Sequence, residues 1–260
     1  MSDEPKCPFT ARNVAIATVA AGGLYLLWKA LRGGGAMAKP SAGAKKVPGI
    51  IIAGAPGSGK GTQCEKIVEK FGVVHISTGD LLRACVKKGT PEGKEIASYI
   101  DRGALVPDEL IIRMVKARLA EADVLARGWL LDGFPRTAVQ ARQMADSGIL
   151  ADVLIHIDVP DSVIVERVCG RRNDPATGTI YHLKFKPPPA DDKALLARLE
   201  HRKDDTEEAV GKRLALFHDN CAAILSFYTP ILVKVDGNRK MGEVTDDVLG
   251  AIGRRVPSTV

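Results

Sequence analysis

Lys60 closes a G-x-x-x-x-G-K run that begins at Gly54 and passes through Gly57, Ser58 and Gly59. Glycines in such a loop free backbone N–H groups to wrap an anion at a helix N-terminus, and the lysine brings a point charge to the same oxygens. Gly61 stands where Ser or Thr commonly follows. The hydroxyl moves to Thr62, which argues against direct metal ligation at the usual position. A glycine-rich turn beside a surface lysine is the plain alternative, and the flanking residues weigh against it. Asp132 ends the apolar run Trp129, Leu130, Leu131, the placement of a metal-coordinating carboxylate beside a bound nucleotide. Asp158 ends a similar run and is a second candidate for the same metal shell. Arg136 follows a turn built on Gly133 and Pro135, and a guanidinium there can fork onto phosphate oxygens. Gln140 offers the donor and acceptor that a purine edge requires.

More cations follow this pattern. Arg83 lies one turn inside a helix opened by Ser77, Thr78, Gly79 and Asp80, where it can face an anion; a capping turn with a surface arginine has the same appearance. Arg167, Arg171 and Arg172 fall within six positions, so they repel one another unless an anion sits among them or water solvates the helix end. Arg202 precedes a helix cap and Arg213 lies well inside that helix, with Asp204, Asp205, Glu207 and Glu208 placed to restrain them by ion pairing.

The elements that must carry these groups are legible as apolar runs separated by amphipathic ones. Ile50 to Ile52, Val73 to Ile76, Trp129 to Leu131, and segments within 151–160 and 231–237 read as buried strands. Helices are expected after the glycine loop from Thr62, after Ser77, through 95–101, over 108–122, from Ser162 to about Gly170, after Asp205, and from Val244 to Arg254. Gly103 and Pro107 break the second helical region. Residues 173–189 alternate turn signals with short extended pieces and read as a small flap between two hinges.

With 260 residues, 45% apolar and 26% charged, the chain has material for one large domain with inserts. Its net charge of +6 is concentrated: residues 1–49 hold seven Lys/Arg against two Asp/Glu, which removes the basis for a nucleic-acid partner. Cys7, Cys64, Cys85, Cys169 and Cys221 show no C-x-x-C spacing, so neither a disulfide framework nor a zinc site is expected. The uncharged run 13–28 would be about 24 Å long as a helix, short for a span. Tyr25 and Trp28 and the basic residues after them favour a membrane tether with the catalytic part on the cytosolic side. A cleaved presequence for secretion or for an organelle, the mitochondrion included, competes with it, as do a soluble packing helix and a disordered extension. Gly33 to Gly35 and the residues after them read as a flexible linker.

Taken together, GAPGSGKGTQ, STGDLLR, LVPDEL, LLDGFPRT with Gln140, GRR, IYHLKF, RKDD and VDG, in this order, resemble the adenylate kinases of the long-lid type over about residues 47–254. The resemblance implies an α/β fold, a parallel-sheet P-loop core flanked by helices. It also implies a kinase domain over 47–260, with core 47–76, 107–169 and 207–260, a monophosphate-binding insert 77–106 and a lid 170–206, and it leaves residues 1–46 as an N-terminal extension. ATP would be held by Gly57, Ser58, Gly59, Lys60, Gly61, Thr62, Arg167, Arg171, Ile180, Tyr181 and Arg239. AMP would be met by Thr78, Arg83, Ala104, Leu105, Val106, Gly133, Phe134, Pro135, Arg136, Gln140, Arg202 and Arg213. Lys60, Arg136, Arg171, Arg202 and Arg213 would surround the transferring group, with Mg2+ held by Asp132 through water. The lid lacks the four metal ligands of the zinc-bearing relatives, so it should be held by hydrogen bonds and apolar contacts. The partners implied are ATP, AMP and ADP, acting on a monomer. The competing readings are a GTP:AMP kinase, a UMP/CMP kinase, against which Thr78 and Gln140 speak, and a nucleotide-sensing scaffold with a dead site.

Overall fold

The computed structural model describes residues 47–202 and 204–256. The run 13–28 and its basic flank therefore lie outside the described residues. Strand β1 (Gly49–Gly54) is central in a five-stranded parallel sheet of order β2-β3-β1-β4-β7, with β2 (Val74–Ser77), β3 (Trp129–Asp132), β4 (Val153–Asp158) and β7 (Leu232–Asp236). Ile50, Ile51 and Ile52 have almost no exposure because both sheet faces are covered. The strand period of two sends Ile50 and Ile52 to one core and Ile51 to the other. Each such side chain contributes about 1.5–3 kcal/mol by leaving water.

The first core is closed by helices α1 (Lys60–Phe71), α7 (Asp161–Cys169) and α10 (Met241–Gly253). The second is closed by α2 (Thr78–Lys87), α3 (Pro91–Asp101), α4 (Asp108–Leu119), α5 (Ala122–Arg127) and α6 (Ala138–Asp146). The long helix α9 (Glu207–Phe227) contributes to both, with Val210 and Leu214 in the first and Ile224 in the second. Two expectations shift. The helix anticipated over 108–122 stops at Leu119: Glu121 turns extended and starts α5, while Arg118 forks onto Asp123 with two contacts of 2.8 Å. The helical material read as continuing from Ser77 to Asp101 divides in two: α2 ends at Lys87, Gly89 turns at φ +68°, and α3 starts at Pro91, where Thr90 accepts the Gly93 N–H and proline occupies the first turn.

The β1-to-α1 connection holds the glycine loop where strand order reverses, since β3 and β4 flank β1 on opposite sides. Crevices at such switch points, beyond the carboxyl ends of strands, are where open α/β sheets bind ligands. Gly57 has φ +76°, and a Cβ there would lie 2.4 Å from Val168 Cγ2, so only glycine lets the loop approach α7 this closely.

Between α7 and α9, strands β5 (Arg171–Asn173) and β6 (Ile180–His182) form an antiparallel hairpin beside the short helix α8 (Lys193–Arg198). The segment is organised by Asp174, which has 1% exposure. Its carboxylate accepts Arg198 Nε and Nη2 at 2.8 and 3.0 Å, the Thr177 hydroxyl at 2.8 Å and the Ala176 N–H at 3.0 Å. These bonds, Arg198 foremost, hold its pKa far below the usual carboxylate range. A depressed acid stabilises above its unfolded value and loses that contribution as pH falls through the folded one, so the segment should keep its order down to about pH 4. Asp174→Asn should expose 171–200 to protease several-fold faster at neutral pH while the sheet keeps its melting temperature. Unchanged cleavage kinetics would show that the carboxylate does not organise the hairpin.

Candidate active site

The carboxyl ends of β1, β2 and β3 open into a cleft of about 1220 Å3. Ligand pockets usually measure about 300–1,000 Å3, so there is room for more than one small molecule. Lys60 enters from the first turn of α1, its Nζ donating to the Gly54 and Ala55 carbonyls at 2.8 Å each. Burial lowers its pKa to about 8; Asp132 opposes the fall, and Arg136 and Arg213 add to it. Asp132 shows the converse. Burial pushes its carboxyl up, but His75, Lys60 and Arg136 outweigh that and leave it below the ordinary value, an ionised carboxylate facing the loop lysine.

Around this pair stand five arginines from separate elements: Arg83 on α2, Arg136 after β3, Arg171 on β5, Arg202 before α9 and Arg213 on α9. Burial, then Arg171 and Arg83, lowers Arg202 to about 10. Arg136, exposed at the cleft, is lowered by the protein crowding its guanidinium and by Arg213, and Arg213 by burial and by Arg171 and Arg83, although Asp204 opposes the latter shift. Guanidiniums that lower one another's pKa values form a site built for a polyanion. Two internal acids restrain them. Asp205, without exposure, takes Arg171 through both carboxylate oxygens, the Nε contact being 2.7 Å. Asp204 takes Arg213 at 2.9 Å. Glu208 instead pairs with Lys212, so restraint of Arg213 comes from the aspartates.

The turn after β3 is fixed from several directions. Gly133 has φ +76° and its missing Cβ would lie 2.9 Å from both Arg136 Nη2 and Thr78 Oγ1. Thr78, wholly buried at the start of α2, donates to the Gly133 carbonyl at 2.9 Å and ties β2 to this turn. Gln140 is buried, and its amide is engaged within the protein: Oε1 accepts the Arg136 N–H at 2.6 Å and Nε2 donates to Asp108 at 2.7 Å. One lone pair and one N–H remain for a ligand. Asp108 also accepts the Thr137 hydroxyl at 2.9 Å. In sequence Asp108 is only an acid at a helix start, as is common there, so its role as a brace for Gln140 carried no separate signal.

Ala104, Leu105, Val106, Phe134 and Pro135 line the cleft, as do Gly57 to Thr62, Arg167, Ile180, Tyr181 and Arg239. Arg167 donates to the Gly237 carbonyl at 3.3 Å from each Nη. Three residues do not follow the sequence reading. Thr78 is wholly buried and absent from the cleft lining, its hydroxyl donating to the Asp132 and Gly133 carbonyls. Arg172 is absent from the cleft lining and folds back, donating to the Cys169 and Arg171 carbonyls. Asp158 ends β4, on the other side of β1 from β3, and lines a separate recess with Lys234, Asp236 and Asn238. It is not brought to the Asp132 shell.

The donor chemistry at Asp132 fits Mg2+. An ionised carboxylate opening on a phosphate-sized space suits a hard cation that keeps several waters and takes its remaining ligands from substrate phosphates.

A sequence model of the adenylate kinase family matches residues 52–232. A protein of Oryza sativa subsp. japonica named "Probable adenylate kinase 2, chloroplastic" is 47% identical over 211 residues, covering 81% of this chain and 71% of its own. "Adenylate kinase, chloroplastic" of Zea mays is 48% identical over 206 residues, 78% of this chain and 92% of its own.

Proposed function

The chain belongs to the adenylate kinase family, a phosphotransferase that interconverts ATP and AMP with two ADP, and from that premise we propose how its residues divide the work. The carrying observation is that Lys60 and the five arginines converge on one cleft beside an ionised Asp132. In this reading the glycine loop and Lys60 hold the donor phosphates, with Arg167, Ile180, Tyr181 and Arg239 about its base. Arg83, 104–106, the 133–136 turn and Gln140 receive AMP, and Thr78, expected among them, braces that turn from behind. Arg136, Arg171, Arg202 and Arg213 neutralise the moving phosphoryl group. Segment 77–106 acts as the monophosphate insert and 170–206 as the lid over a 47–260 catalytic domain, working as a monomer.

Phosphoryl transfer asks little covalent chemistry of a protein, so alignment, charge neutralisation and exclusion of water carry it, and no general base is required. When bound, Mg2+ supplies charge at the donor phosphate oxygens, and Asp132 would hold it through water. The test is ADP formation by the purified full chain from ATP and AMP with Mg2+. Replacing ATP with GTP, and AMP with CMP or UMP, should lower kcat/KM at least about tenfold, the discrimination expected when buried polar groups go unpaired. Equal use of GTP would move the donor assignment.

Gln140→Asn measures the acceptor side. Its shorter amide cannot hold the Arg136 N–H and reach a base together, so AMP-over-CMP preference should fall by about 1–3 kcal/mol. Unchanged relative kcat/KM would leave Gln140 as a brace for Arg136 alone.

The names of the two relatives place those proteins in chloroplasts. We extend that here: residues 1–46 serve as an organelle-addressing leader, in preference to a membrane tether. Mass spectrometry of protein from its native source should find a start within about residues 30–46. An intact N-terminus in a carbonate-resistant membrane pellet would restore the tether.

A further inference from the structure

Beside the phosphate loop, two side chains that phosphoryl transfer does not use, Cys64 and His75, flank Asp132. Strands β2 and β3 pair in register, His75 with Leu130 and Ser77 with Asp132. The strand period of two therefore puts His75 and Asp132 on one sheet face, the face on which Leu130 packs with Cys64 of α1. The Cys64 sulfur, a His75 ring nitrogen and an Asp132 carboxylate oxygen all lie within 4.8 Å of one another, and His75 Nε2 is 3.6 Å from Asp132 Oδ2. Cys64 is buried, His75 is exposed, and all three border the cleft through which an ion would enter.

We propose that Cys64, His75 and Asp132 form a binding site for a thiophilic divalent transition metal, Zn2+ being the best match, and that its occupancy inhibits the enzyme. One thiolate, one imidazole and one carboxylate make a three-ligand set with an open fourth position, common for Zn2+. Bonds of about 2.0–2.3 Å put tetrahedral ligand atoms roughly 3.5 Å apart, so the group closes on the ion with movements of about 1 Å. Mg2+ prefers six oxygens and gains nothing from sulfur, so the two ions meet only at Asp132. The thiol proton leaves to solvent as the metal–sulfur bond forms. Thiolate and carboxylate then cancel the two metal charges, which makes the ion tolerable beside Lys60 and Arg136. Inhibition follows because a carboxylate bonded directly to Zn2+ cannot orient water around Mg2+; this part alone rests on the role given to Asp132 above.

Cobalt makes the site visible. The nucleotide-free full-length chain, reduced and titrated with Co2+, should bind one equivalent with a thiolate-to-cobalt charge-transfer band and tetrahedral d–d bands, both bleached by one equivalent of Zn2+. Cys64→Ala should lose the charge-transfer band, and His75→Gln should weaken affinity by about tenfold or more. No band in the wild-type protein at saturating Co2+, or a band that survives both substitutions, would overturn the site. Because no nucleotide is present, that result is independent of the assigned reaction. In the forward assay at fixed Mg2+, Zn2+ should inhibit the wild-type protein at least tenfold more strongly than Cys64→Ala. Equal inhibition of the two would sever the link to Asp132.

Discussion

Lys60→Met should lower kcat by about 10³-fold or more, with the fold preserved. A preorganised positive charge removed from where negative charge moves in the transition state typically costs about 10²–10³ in rate. Here the cost should reach the top of that range, because Lys60 is the only lysine of the glycine loop and sits deep in the cleft. Stability should change little. The substitution removes the penalty of burying an ammonium together with its bonds to Gly54 and Ala55, and these offset each other. A shift in Tm of less than about 4 °C is expected. The pH profile gives a second readout. Burial holds the free protein's Lys60 near 8, and the lysine must be protonated to act, so kcat/KM should fall as pH rises through about 8. A variant within tenfold of wild type, or a flat wild-type profile to pH 9, would remove Lys60 from the role.

Arg136→Ala should cost about 10²–10³ in kcat, the next largest loss. This side chain is aimed by its own turn: Nε donates to the Gly133 carbonyl at 2.8 Å, and its backbone N–H is held by Gln140. Arg136→Lys should recover less than about tenfold, since an ammonium keeps the charge and loses the planar fork. Arg136 is also one of the cations that depress Lys60, so its removal should move the alkaline limb of the pH profile upward. Full recovery by lysine would mean that charge alone matters there.

Much of this site was legible because the cations assigned above to phosphate sit in contiguous motifs: a glycine loop, a capped turn with Arg83, and a proline turn with Arg136. Their convergence required only that apolar runs become parallel strands with aligned carboxyl ends. What escaped depends on lateral order. Asp132 and Asp158 end their strands in the same manner, yet β3 and β4 lie on opposite sides of β1, so only Asp132 meets the lysine. The approach of Cys64, His75 and Asp132 depends on strand register and on α1 packing above it, and no spacing rule encodes either. Gln140 carried a signal for base recognition, but its bond to Asp108 crosses 32 positions and is a product of helix packing. The break between α4 and α5 was hidden for a local reason, as every residue from 108 to 122 suits a helix.

The pairing of Arg171 with Asp205 joins the start of the hairpin to the chain just before α9. Asp205 is wholly enclosed, so drawing Arg171 away would strand a carboxylate in the interior, which is costly. Asn173 and Glu200 exchange backbone hydrogen bonds just above it, so both chain crossings are clasped within a few residues of each other. In the lid role proposed above, a swing that keeps these bonds would change mainly the angle of the segment, with little backbone order gained or lost, and would consume little conformational entropy.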